Sequence, residues 1–141
     1  MHSELRDELI FSLKKIYQLK AFGALAELLQ GEALILNYLS DHRKDPVYPS
    51  AMSAGLHLSR SRVTGALNSL RRKGLIELEP SREDRRMVRV WITEAGEAQI
   101  GGQMRQMLAY FDRMLDGLGA EDAHTLIRIM DRCVEIMGVR T

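Results

Sequence analysis

The sequence predicts a mainly α-helical fold of the α+β winged-helix kind: a helix-turn-helix and a short hairpin, flanked by long helices at the N- and C-terminal ends. Three observations carry this expectation. Between residues 59 and 74, apolar side chains recur at helical spacing behind a serine suited to capping. From 76 to 92 the apolar period falls to two, on either side of a loop rich in arginine. Before and after lie helical stripes too extensive for so small a unit to cover.

The elements follow in order along the chain. Residues 3–20 place Leu5, Leu9, Leu13, Ile16 and Tyr17 on one stripe, and residues 31–39 form a shorter helix with Leu34, Ile35, Tyr38 and Leu39. Residues 48–55 read as a brief helix with Pro49 in its first turn, joined by His57-Leu58 to the next. That next helix starts at Ser59, whose hydroxyl can accept from a backbone N–H left unpaired in the first turn, and it stops at Gly74. Val63, Ala66, Leu67 and Leu70 form its core stripe. Its opposite face carries Ser61, Thr64, Gly65, Asn68 and Arg72, with Arg60 and Arg62 at the same end.

Short polar side chains beside a glycine let a helix lie close to base edges, where Asn and Arg make paired hydrogen bonds and Thr meets a thymine methyl. Taken alone, such a face equally suits an ordinary solvated helix. The helix upstream changes this, because the pair has helix-turn-helix spacing, in which the first helix braces the second in the major groove. In the hairpin, Ile76 and Leu78 alternate with Glu77 and Glu79, and Val88, Val90 and Ile92 alternate with Met87, Arg89 and Trp91. The connecting loop, residues 80–86, holds Arg82, Arg85 and Arg86. Such a wing reaches backbone phosphate or a narrow minor groove.

Charge is distributed to match. Residues 57–89 hold nine Lys plus Arg and four Asp plus Glu, a net of +5, whereas the whole chain is +1 and the remainder therefore −4. A nearly neutral protein with its positive charge in one segment offers phosphate a local patch. At 141 residues and 45% hydrophobic content the chain can bury a core as one unit. No apolar run reaches the roughly 18 residues of a membrane helix, and the first residues lack the order of a signal peptide, so a cytoplasmic location is expected.

Beyond the hairpin, Thr93 can cap a helix over residues 94–115, with Ile100, Met104, Met107, Leu108, Phe111 and Leu115 in its stripe. A last helix over 121–137 aligns Ala123, Leu126, Ile127, Met130, Val134 and Met137, and Gly117 and Gly119 mark the turn between the two. With Ile129, Cys133 and Ile136 alongside, these stripes predict burial on more than one side. Pairing of two chains through the N-terminal helix and the last two helices meets that need. Packing within a monomer is the alternative. A two-fold pair would present two reading helices about one turn of DNA apart.

The stretch from residue 58 to 96, with Leu-Ser-Arg-Ser-Arg-Val-Thr, Lys-Gly-Leu-Ile, Glu-Asp-Arg-Arg and Ile-Thr-Glu-Ala-Gly, resembles the winged helix of the MarR family of bacterial and archaeal transcription regulators. Length and helix order fit more loosely over the whole chain. The resemblance implies one MarR-like domain over 1–141, with the winged helix-turn-helix at about 31–93 and dimerisation helices at about 3–20 and 94–138. It also implies that Asp84 orients the wing and that Arg86 leads its contact with DNA. One departure is His57, where many members carry glycine; His tolerates positive φ better than most residues.

The expected function is a ligand-responsive repressor that binds a pseudo-palindromic operator in double-stranded DNA as a homodimer. Ser61, Arg62, Thr64 and Asn68 are the candidates for base edges, and Ser59, Arg60, Gly65, Arg72, Arg82, Arg85 and Arg86 complete the DNA-binding set. Family members often take a small aromatic or anionic effector between the dimer helices and the winged helix. Lys14, Tyr17, Phe22 and Tyr38 are the candidates for such a site, and core packing explains the aromatics equally well.

No catalytic constellation, metal site or cofactor is expected. Cys133 reads as a small buried hydrophobe, and the first helix lacks the cysteine of peroxide-sensing relatives. His2, His42, His57 and His124 are dispersed; a zinc-responsive variant would have to gather Glu32, Asp41, His42 and His124. Gly101-Gly102 lacks the context of a phosphate loop and reads as a close helix approach or a bend. The remaining alternatives are a winged helix that binds proteins, which would not need this much arginine, and a small enzyme, for which no polar cluster assembles.

Overall fold

The computed structural model describes residues 2–84 and 86–138. Among these residues seven helices and one hairpin follow in the order α1 (Ser3–Tyr17), α2 (Lys20–Leu28), α3 (Gly31–Asp41), α4 (Pro49–Leu56), α5 (Arg60–Arg72), β1 (Ile76–Pro80), β2 (Val88–Ile92), α6 (Glu94–Leu118) and α7 (Ala120–Met137). This is the mainly α winged-helix fold expected.

The core is built around α3, which buries Ile35, Leu36 and Leu39 and packs on α2, α5, α6 and β2. Met52 from α4, Val63, Leu67 and Leu70 from α5, Val90 from β2 and Ile100 from α6 close around it. Full burial of such side chains stabilises by about 1.5–3 kcal/mol each. The predicted α5 stripe faces inward as expected, although Ala66 is only partly buried. Leu36 enters the core unforeseen and Leu34 stays half-exposed, because α3 is covered on several sides and its apolar arc is broader than one stripe.

Three boundaries depart from expectation for tertiary reasons. The N-terminal helix ends at Tyr17 instead of 20; Leu19 turns extended (ψ 142°) and caps an unpredicted helix, α2. Neither proline nor glycine marks the break. It occurs because α2 turns Ala21 and Leu28 into the body, whereas α1 leaves it. Pro80 belongs to β1, opposite Val88 at the hairpin's end, where its missing N–H is harmless. The C-terminal helices meet at Gly119 (φ +82°), with Gly117 inside α6.

The hairpin is antiparallel, pairing Ile76 with Ile92 and Leu78 with Val90. Val47 adds a short third rung, its carbonyl accepting the Val90 N–H at 2.8 Å. At the hairpin root, Thr93 donates its hydroxyl to the Gly74 carbonyl (2.8 Å) and its N–H to the Leu75 carbonyl (3.0 Å), and accepts the Gly96 N–H at 3.1 Å as the N-cap of α6. Here α6 lies almost upon the hairpin. A Cβ at Gly96 would fall on the Leu75 carbonyl oxygen and lie 2.8 Å from Ile92 Cγ1. At Gly101 and Gly102 a Cβ would meet only the flexible Arg105 guanidinium, so of the two expected roles, a close helix approach or a bend, the first is not seen within the protomer.

Much apolar surface is bare. Among the described residues, α1 buries no side chain and α7 buries only Ala123. The protomer exposes 11058 Å², against roughly 7,400 Å² for a compact monomer of its mass. Cys133, expected to be buried, is exposed on α7, which packs chiefly on α6.

Candidate nucleic-acid interface

The helix-turn-helix is α4 and α5. Pro49 opens α4 with its ring preset for the first turn, and His57 closes it at φ 54° and ψ 42°, the left-handed conformation needed for a tight turn. Ser53 secures that turn, its hydroxyl donating to the Leu58 carbonyl at 2.6 Å and its carbonyl accepting the Leu58 N–H at 3.2 Å. Ser59 then caps α5 through the Arg62 N–H at 3.2 Å. Ser61 shares a hydrogen bond with Ser59 at 3.2 Å, which settles its hydroxyl at the helix start.

Burial of Val63, Leu67 and Leu70 fixes the rotation of α5, so that Arg60, Ser61, Arg62, Thr64, Gly65, Asn68 and Arg72 are all exposed. Nothing lies within 4 Å of the place a Gly65 Cβ would occupy, which leaves the face flat there. Arg60 and Thr64 line a crevice with Pro49 and Ser50, between the bracing and reading helices. At the other end Lys73 reaches Glu32 on α3 at 2.7 Å, and this ammonium, with the Ser69 hydroxyl, holds the Glu32 carboxyl below its usual range. The pair ties the exit of α5 to the scaffold helix.

In the wing, Asp84 accepts the Arg86 N–H at 3.0 Å and stands 3.5 Å from its guanidinium Nε. The Arg86 side chain is 94% exposed, so the aspartate holds the root of the arginine while its head remains in water. Such a pair adds little stability, about 0–1 kcal/mol, and its effect is orientation. Arg82 is exposed on the same loop; the third expected arginine, Arg85, lies outside the described residues. On the hairpin's outer face, the Trp91 indole N–H donates to Glu79 at 2.7 Å, and the Arg89 guanidinium lies 4.3 Å from the ring centroid. Alternation had set these residues opposite the core side, but it carried no sign of their mutual contact.

The suggested effector residues are not brought together in the protomer. Lys14 and Tyr17 stand exposed on α1, Phe22 packs edge-on to Phe111 at 5.8 Å, and Tyr38 stacks on His42 at 4.2 Å. A cavity of 520 Å³ lies instead between α2 and α6, lined by Lys20, Tyr110, Arg113, Met114 and Leu118 among others. Nor do the zinc candidates converge. Glu32 is held by Lys73, the His42 ring bonds the Tyr38 carbonyl at 2.8 Å, and among the described residues no three His, Cys, Asp or Glu side chains group around a common point.

Fold and surface together define a winged helix-turn-helix protein of the DNA-binding kind. Residues 27–87 match the model of the MarR family. The uncharacterized HTH-type transcriptional regulator YpoP of Bacillus subtilis (strain 168) is 31% identical over 106 residues, 75% of this chain and 74% of its own. Among solved structures, the YusO protein from Bacillus subtilis superposes with a TM-score of 0.75 at 19% identity, over 96% of this chain and 98% of its own. A mutant of S. aureus MepR bound to oligodeoxyribonucleotide superposes with a TM-score of 0.63 at 18% identity, over 98% of this chain and 99% of its own. The chain belongs to the MarR family. It is a DNA-binding transcription regulator, not an enzyme. Among the described residues no helix is long and apolar enough to cross a membrane.

Proposed function

We propose that the protein acts in the cytoplasm as a homodimeric, ligand-responsive repressor of a pseudo-palindromic operator. The observation that carries the reading is the rotation of α5: its apolar stripe is locked in the core while Ser61, Thr64 and Asn68 face solvent beside Arg60 and Arg62. In this reading Ser61, Arg62, Thr64 and Asn68 meet base edges, and Arg60, Arg72, Arg82 and Arg86 hold phosphate or the minor groove. The bare faces of α1 and α7 support pairing of two chains, with residues 3–20 and 94–138 as the dimerisation part and 31–93 as the reading part.

Selection from a random DNA pool, followed by binding of the winner across a salt series, tests the reading. An enriched palindrome with a steep salt slope is expected; no enrichment would favour a protein-binding role for the wing. On the selected site, Arg86→Ala should weaken binding to many sequences and shallow the slope by about one unit, as for one lost phosphate contact. Asn68→Ala should instead change preference at one or two positions, costing about 1–3 kcal/mol at the base it reads. If both variants kept wild-type affinity, the assignment of this face would be wrong.

For the effector, we propose the cavity between α2 and α6 in place of the four residues suggested by sequence. Its volume suits a small molecule, its walls supply Met114 and Leu118 for an apolar ring, and Lys20 and Arg113 offer charge to an anion. Release of operator DNA by a panel of aromatic carboxylates, starting with benzoate, checks this. Arg113→Ala should abolish release while leaving affinity without the acid unchanged. An Arg113→Ala protein that responds like wild type would remove this cavity from consideration.

A further inference from the structure

Ser81 is the buried polar residue among those described, 3% exposed at the base of a wing loop in which Arg82, Glu83 and Arg86 are exposed. Its N–H donates to the Met87 carbonyl at 2.8 Å and closes the loop. Its Oγ accepts the Glu83 N–H at 3.3 Å and shares a hydrogen bond, also 3.3 Å, with the hydroxyl of Tyr48. Tyr48 is the N-cap residue of α4, the bracing helix, and follows Val47, whose carbonyl holds Val90. The same two residues that lead into the helix-turn-helix therefore grip the hairpin twice, once at mid-strand and once at the loop.

We propose that Tyr48 is a positioning residue for DNA binding: through Ser81 it sets where the wing arginines stand relative to the reading helix. A two-stranded hairpin is marginally stable alone, and here its outer end has little core cover, with Met87, just before β2, and Val88 39% and 40% exposed. The Asp84–Arg86 pair lies wholly within the loop and cannot fix the loop against α5. The Tyr48–Ser81 bond can, because it joins the loop to α4, on which α5 packs. Without it the loop would have to be ordered when DNA binds, and affinity would fall by the cost of that ordering. The inference rests on the proposed reading that Arg82 and Arg86 touch DNA.

The test compares four full-length proteins on the selected operator across a salt series: wild type, Tyr48→Phe, Arg82→Ala/Arg86→Ala, and all three changes combined. Phenylalanine keeps the ring and removes only the hydroxyl. Tyr48→Phe should lose about threefold to tenfold in affinity, the size of one hydrogen bond, and its salt slope should be shallower. On the Arg82→Ala/Arg86→Ala background it should add no further loss. Amide exchange at Glu83 and Met87 should quicken in Tyr48→Phe while that of α5 is unchanged, and Ser81→Ala should reproduce both effects. The inference is overturned if Tyr48→Phe binds with wild-type affinity and slope, or if it loses equally with and without Arg82 and Arg86. Loss in the double arginine variant beside a neutral Tyr48→Phe would defeat this inference alone. An unchanged double arginine variant would defeat the wing reading and this inference with it.

Discussion

Replacing Leu9 and Leu13 with glutamate should leave a folded monomer of 16.0 kDa that binds the operator at least about 100-fold more weakly than wild type. Both side chains lie on α1 and are more than half exposed in the protomer, at 58% and 54%. A two-fold interface contains each position twice, so two substitutions place four charges in one apolar seam. Because α1 contributes nothing to the protomer's own core, folding of the winged helix should survive the change. The large loss in affinity follows from tethering: the second half-site of a dimer is bound at high effective concentration, and a monomer forgoes it. Light scattering on the eluting peak, with a binding titration on the same sample, gives the result. A variant that still runs at twice the monomer mass would place the interface elsewhere.

Gly96→Ala, at the hairpin root, should be strongly destabilising for so small a substitution, by about 3 kcal/mol or more, which for a chain of this size is a fall of roughly 10 °C in Tm. The added methyl would fall on the Leu75 carbonyl oxygen and press on Ile92 Cγ1. Neither can yield cheaply. The Leu75 carbonyl accepts the Thr93 N–H, and Ile92 is paired with Ile76 in the hairpin. The gain of about 1 kcal/mol in helix propensity on leaving glycine does not offset this. Gly101→Ala serves as the matched control, since its methyl meets only the Arg105 side chain at 3.3 Å; it should be neutral or slightly stabilising. Thermal unfolding of both variants at equal protein concentration makes the comparison. Equal stability of the two would refute the close approach of α6 to the hairpin root.

The reading head was legible because its signals are local. Ser59 and Thr93 cap helices within three residues of themselves, the stripe of Val63, Leu67 and Leu70 sets one helix's rotation, and a period of two sets the hairpin's faces. Even His57 in the left-handed turn was compatible with what its neighbours required. The misses are of another kind. The break after Tyr17 has no residue that demands it, and it follows from α2 finding α3 and α6. Lys14 and Tyr17 stand on α1, Phe22 on α2 and Tyr38 on α3. Gly101 and Gly102, a conspicuous pair, do nothing a side chain would forbid, whereas Gly96 sits where two backbones almost touch.

Sequence by itself therefore determined which residues form the reading helix, which side of it faces outward, and that arginine gathers at a wing. Those properties depend on spacing along one chain segment and on hydrogen bonds a few residues long. Tertiary structure alone decided what holds that wing in place: Tyr48 and Ser81 are 33 positions apart, and Glu79 meets Trp91 across a hairpin. It also decided that α1 and α7 stay bare, because whether an apolar stripe is covered depends on every other element competing for the same core.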